Sequence, residues 1–145
     1  MEQISRFVKN EVEDGVLLID YLQLIDTYVD SGNNRVYSKS SVNRLSEVSC
    51  ALKQLAQEMK MPIIVCSQLT RALELRSDKR PILQDLRQTG SIEQDVDGVI
   101  FVYRNSYYSN DGGDEAELIL AKNRNGETGT AHVKFNKSRL MFENK

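Results

Sequence analysis

The chain has 145 residues, of which 40% are hydrophobic and 28% charged, with a formal net charge of −2. This length and balance suit one globular domain with a single substantial core. No apolar run approaches the roughly 18–20 residues of a membrane span, and the net charge offers no global basic surface, so any nucleic-acid contact must come from a local loop.

The amino-terminal Met1-Glu2-Gln3-Ile4-Ser5-Arg6 lacks the apolar stretch of a secretory signal. Cys50 and Cys66 are isolated and read as reduced core or near-core thiols of a cytoplasmic protein. With one histidine and no paired cysteines, a structural zinc site is not expected.

Residues 3–13 put Ile4, Phe7, Val8 and Val12 at helical spacing, and Asp14-Gly15 ends that helix. A parallel α/β domain ordinarily opens on a strand, so this opening implies residues upstream. Val16-Leu17-Leu18-Ile19 then runs into Asp20. So short an apolar run predicts a strand buried on both faces, with Asp20 at its carboxyl end, the edge where open α/β sheets place ligands.

Residues 30–35 read as a loop. From Ser38 to Met59 the chain is strongly periodic, with Val42, Leu45, Val48, Leu52, Leu55 and Met59 on one face. Ser38 or Ser40 is the N-cap candidate, and Pro62 closes the segment. This helix crosses over to a second buried strand, Pro62 to Gln68, making a right-handed parallel pair. Arg44, Glu47 and Lys53 on its other face read as solvated surface.

Residues 69–79 are a charged, partly helical connection. Residues 80–91 follow, with Gly90 where backbone can approach a ligand closely. Ser91 to Asp95 is a short capped helix before a third buried strand, Asp97 to Arg104. Three strands ending in Asp20, Gln68 and Arg104 make a candidate active edge. Residues 105–114 form a flexible excursion. Glu115–Lys122 and Thr128–Asn136 then alternate apolar and polar residues around Asn123-Arg124-Asn125-Gly126, a strong hairpin signal with Lys122 and Arg124 near its base. Leu140-Met141-Phe142 is a last short strand. His132 faces outward and reads as inert, and Tyr103, Tyr107 and Tyr108 as packing or loop anchors.

Five words occur in order: Leu18 to Leu24, Pro62 to Leu69, Asp78 to Pro81, Asp85 to Asp97, and Lys122 to Gly126. Together they make the chain similar to the DnaB family of replicative DNA helicases, over nearly its whole length. The resemblance implies an α/β, partial RecA-like fold: a mostly parallel sheet with crossover helices and a C-terminal antiparallel hairpin. Residues 1–145 would be the C-terminal portion of a helicase ATPase domain. The family implies a homo-hexameric ring that hydrolyses ATP at subunit interfaces and moves 5′ to 3′ on single-stranded DNA, with primase and a helicase loader as partners.

By the same resemblance Asp20 corresponds to the Walker B aspartate, holding Mg²⁺ against the nucleotide phosphates. The resemblance implies that Gln68 is the γ-phosphate sensor and that Arg124, with Lys122, is the finger that reaches a neighbouring subunit's nucleotide. Arg87, Gln88 and Gly90 would be the DNA-contacting loop. Read without the family, Lys122 and Arg124 are solvated hairpin charges and Arg87 is a surface arginine. Three departures stand out. No Gly-x-x-x-x-Gly-Lys-Ser/Thr phosphate loop occurs in these residues, nor is there a counterpart of the family's catalytic glutamate. Gln88 replaces what is more often a glutamate. A fragment inactive by itself is therefore expected. The alternatives are a non-enzymatic remnant that binds helicase subunits or a loader, and a related RecA-fold recombination ATPase.

Overall fold

The computed structural model describes residues 1–12, 14–25, 28–30, 35–37, 41–89, 92–109 and 113–145, with the side chains of residues 2, 28–30, 35–37, 41–42 and 87–89 left out. The chain forms two compact units. The first comprises Met1–Thr70 and Leu86–Val96, the second Arg71–Asp85 and Asp97–Lys145.

The first unit is built on a parallel pair, β1 (Leu17–Ile19) and β4 (Ile63–Val65), in register Leu17 to Ile63 and Ile19 to Val65. Between them in the chain lie an antiparallel pair, β2 (Tyr28–Asp30) and β3 (Arg35–Tyr37), and the helix α2 (Ser41–Met59). Of the loop expected at 30–35, Asp30 and Arg35 are instead paired strand residues, and residues 31–34, like the N-cap candidates Ser38 and Ser40, lie outside the described residues.

Helix α2 forms for the reason its spacing predicts. Leu45, Val48, Leu52 and Leu55 recur at intervals of three and four, and all are buried. Leu45, Val48 and Leu52 pack with Leu22, Ile25 and Ile92, and with the half-buried Ile19, Ile63 and Val65. Leu55 packs in a second cluster, with Met61 and Val8, the latter from helix α1 (Glu2–Glu11). Ile92 belongs to the short helix α3 (Ile92–Asp95). Two residues before Pro62, Lys60 takes the left-handed conformation (φ 50°). The Lys60 amide donates to the Gln57 carbonyl at 3.3 Å and the Met61 amide to that of Ala56 at 3.1 Å. These two bonds are the Schellman ending of a helix.

Several burial expectations are corrected. β1 and β4 are not buried on both faces: Leu18 is 64% and Ile64 54% exposed. Cys66 follows Ile64 by two residues, so it shares the open face. Cys50 lies on the side of α2 away from Val48 and Leu52. Both thiols are exposed, not in the core. Phe7 is likewise exposed on α1, where Ile4 and Val8 face inward. Arg44 is more than a solvated charge, because its Nη2 donates to the Gln23 carbonyl at 3.3 Å.

The second unit is a four-stranded antiparallel sheet in the order β5 (Gly98–Tyr103), β6 (Glu115–Asn123), β7 (Gly129–Asn136), β8 (Met141–Asn144). The hairpin and last strand stand where the alternation placed them. β5, however, is not a parallel core strand. It pairs antiparallel with β6 and buries only Val99, Phe101 and Tyr103, leaving Ile100 and Val102 exposed. Among the described residues, parallel pairing is confined to β1 and β4. No helix among them is long and apolar enough to cross a membrane.

Candidate active site

Asp20 follows the last residue of β1 and is exposed. The backbone around it is fixed from β4. The Cys66 amide donates to the Ile19 carbonyl at 2.9 Å, and the Leu22 amide donates to the Cys66 carbonyl at 2.9 Å. Leu22 then plugs into the core at the start of a short 3-10 turn, Leu22–Leu24. One ladder step past the strands, the chain is therefore still registered, and Asp20 emerges at the carboxyl edge of the parallel pair.

Gln68 leaves the same edge three residues beyond Val65 and is exposed. Its backbone is held by a residue that the sequence reading gave no role, Gln23. The Gln23 Nε2 donates to the Ser67 hydroxyl at 3.1 Å and to the Gln68 carbonyl at 3.4 Å. The Gln68 amide in turn donates to Gln23 Oε1 at 3.3 Å. The signal was present as a glutamine three residues after a strand-end aspartate. A side-chain amide, with a donor and an acceptor, can pair with backbone as another strand would.

Lys122 and Arg124 are set by the β5–β6 edge. Val99 opposes Lys122 while Ile100 opposes Leu120, so Ala121 is the extra residue of a bulge. Such bulges re-aim the side chains beside them. The β6–β7 pairing ends at Leu120 and Gly129, so the turn is wider than a two-residue Asn-Gly hairpin, while the end of β6 continues to pair with β5. Asn123 organises that turn. Its Oδ1 accepts from the Asn125 amide at 3.2 Å and its Nδ2 donates to the Glu127 carbonyl at 3.2 Å. A Cβ at residue 126 would stand 3.0 Å from Asn123 Nδ2, so any larger residue there would press on the side chain that organises the turn.

Arg124 is anchored twice on Asp97, the residue before β5. Its amide donates to the Asp97 carbonyl at 2.7 Å, and Nη1 meets Asp97 Oδ1 at 2.9 Å. Both side chains are about half exposed (49% and 54%), so the ion pair is a weak tether.

Other charges are structural. Arg76 holds the buried Asp85 through two hydrogen bonds, at 3.0 and 2.8 Å. Arg80 grips Glu117 at 2.8 and 2.7 Å. Hydrogen bonds from Arg80 keep the Glu117 carboxyl below the usual carboxylate range, and the same pairing pushes the Arg80 guanidinium up. Arg80 also lies over the Tyr103 ring, which stacks on Tyr108, so these tyrosines pack, as expected. Arg104, expected at the active edge, lies over the Phe135 ring at 4.1 Å within the second unit. Asp20 and Gln68 belong to the first unit, Lys122 and Arg124 to the second. Of the DNA-loop candidates, Arg87 and Gln88 fall in the short helical segment Leu83–Thr89 with their side chains outside the described residues, and Gly90 lies outside them altogether.

The family model of the DnaB-like helicase C terminal domain matches residues 1–144. The chain belongs to this family. It is 45% identical over 141 residues to the replicative DNA helicase DnaB of Geobacillus stearothermophilus, covering 96% of this chain and 30% of that protein. It is 44% identical to the replicative DNA helicase DnaC of Bacillus subtilis (strain 168), with the same coverage. Among solved structures, one described as an ATPase domain superposes with a TM-score of 0.82 at 37% identity, over 99% of this chain and 49% of that one. A DnaB-like replicative helicase, described with its interactions with primase, gives the same TM-score and identity over 33% of its length. The chain therefore has the RecA-like α/β fold of these ATPase domains and spans about a third of the curated relatives it matches.

Proposed function

We infer that the chain is the C-terminal portion of the ATPase domain of a hexameric replicative DNA helicase, which couples ATP hydrolysis to 5′-to-3′ movement on single-stranded DNA. The observation that carries this reading is the emergence of Asp20 and Gln68 from one carboxyl edge of the β1–β4 pair, in a chain of the DnaB-like family. In such a site Asp20 supplies one carboxylate to Mg²⁺. That is in keeping with an ion held mainly by phosphates and water, and no group of three or more His, Cys, Asp or Glu able to hold a metal occurs among the described residues. Bound Mg²⁺ would neutralise charge on the phosphates.

Gln68 meets the terminal phosphate with an amide, which can bond phosphate or water without adding charge. Arg124, with Lys122 beside it, serves the nucleotide of a neighbouring subunit. Cations in that role stabilise the loose phosphoryl-transfer transition state and contribute about 10³–10⁵ in rate. Arg87, Gln88 and Gly90 contact the DNA backbone without reading sequence. Primase and a loader are partners of the complete ring.

Residues 1–145 hold no phosphate loop, so the chain supplies half of a nucleotide site and does not turn over ATP alone. The test is steady-state ATP hydrolysis, with and without single-stranded DNA, by this chain and by the same chain extended upstream through a phosphate loop. Turnover confined to the extended chain and stimulated by DNA is the expected result. Hydrolysis by the 145-residue chain alone would overturn the half-site reading. An extended chain that binds helicase subunits but never hydrolyses ATP would instead favour a non-enzymatic remnant.

A further inference from the structure

The Gln23 side chain bridges the turn after β1 and the turn after β4. Its acceptor takes the Gln68 amide and its donor serves both the Ser67 hydroxyl and the Gln68 carbonyl. Asparagine is too short to reach, a carboxylate has no donor, and a lysine has no acceptor. Gln23 is itself held, since Arg44 from α2 donates to its carbonyl. The turn that carries Gln68 is thus tied to a residue three positions after Asp20.

We propose that Gln23 is a positioning residue, which fixes the backbone at Gln68 relative to the Asp20 turn so that the Gln68 amide is presented to the terminal phosphate of the nucleotide that Asp20 helps to bind. This rests on the roles inferred above for Asp20 and Gln68. A displacement of about 1 Å at a reacting centre can cost about 10²-fold in rate. The three bonds are partly solvent-exposed, so their loss leaves the fold standing and loosens only the turn. The expected effect of Gln23→Ala is about a tenfold loss of kcat with KM for ATP little changed.

The experiment uses the complete protein and compares single-turnover ATP hydrolysis by the parent, Gln23→Ala, Gln23→Glu, Gln68→Ala and the double variant Gln23→Ala/Gln68→Ala. Gln23→Glu keeps the acceptor but sets a carboxylate against the Gln68 carbonyl, and should be no faster than Gln23→Ala. If Gln23 acts through Gln68, the double variant is no slower than Gln68→Ala, because residues in one network are non-additive. Hydrogen exchange on the same proteins should speed up at the Gln68 amide in Gln23→Ala and stay unchanged along α2.

A Gln23→Ala protein with the parental rate, or one whose loss multiplies fully with that of Gln68→Ala, overturns the proposal. Exchange that accelerates throughout α2 also overturns it, since Gln23 would then be holding up the fold. If Gln68→Ala itself hydrolyses ATP at the parental rate, the assignment of Gln68 fails, and the positioning role falls with it. That outcome is read from the Gln68 variant alone and is separate from any result at Gln23.

Discussion

Replacing Asp85 by alanine should be among the most damaging single changes in the second unit. The carboxylate is buried, with 4% of the residue exposed. One oxygen accepts from Arg76 Nη1 at 3.0 Å, and the other accepts from Arg76 Nη2 and from the Ile82 amide, both at 2.8 Å. Removing one partner of a buried charged pair costs about 3–5 kcal/mol. Here the lower end applies. Arg76 is about a third exposed and keeps the carbonyls of Arg80 at 2.8 Å and Asp78 at 3.3 Å.

A loss of about 3 kcal/mol corresponds to a fall of about 10 °C in the melting midpoint of a chain this long. Asp85→Asn keeps an acceptor for the Ile82 amide but loses the charge, and should cost about half as much. Asp78 provides the control. Its carboxylate pairs with Arg80 in solvent, so water replaces the lost partner and Asp78→Ala should leave the midpoint almost unchanged. Thermal unfolding followed by circular dichroism, with urea titration beside it, measures all three. An Asp85→Ala midpoint no lower than that of Asp78→Ala would refute the reasoning.

Leu52→Ala, which opens a cavity between α2 and the residues packed around Leu22 and Ile92, should cost about 3 kcal/mol in urea unfolding. Lys60→Gly should raise stability by about 0.5–1 kcal/mol in the same assay, because Lys60 sits at positive φ at the end of α2. Glu117 has a folded pKa below its unfolded value, so its pair with Arg80 contributes stability above the unfolded pKa and loses it as pH falls through the folded one. Melting midpoints measured from neutrality into the acid range should therefore fall less steeply in Glu117→Gln than in the parent. In the complete protein, Arg87→Ala should weaken single-strand binding for all sequences alike. Losing one phosphate contact should lower the slope of log affinity against log salt by about 0.7, and an unchanged slope would remove Arg87 from the DNA loop.

Features that depend on local periodicity were legible in the sequence. The three-and-four spacing of Leu45, Val48, Leu52 and Leu55 specified α2 and its buried face. Two-residue alternation specified β6 and β7. A strand running into Asp20 placed that carboxylate at the edge of the parallel pair, since a charge cannot follow the apolar run into the core. What the local pattern could not carry was the identity of each segment's partner. An apolar run has the same composition whether one face or two are covered, so Leu18, Ile64 and Cys66 read as buried and are exposed.

The β5 run likewise gave no sign that it would pair antiparallel with β6, or that this pairing would insert the Ala121 bulge beside Lys122. The sequence pattern assigned neither Asp85 nor Gln23 a role of its own. One is buried because Arg76 closes over it, and the other clamps Gln68 from 45 residues away in sequence. Hydrophobic periodicity is a property of neighbours in the chain. Burial of a charge, the register of a sheet and the hold on a strand end are properties of neighbours in space, and only the tertiary structure decided them.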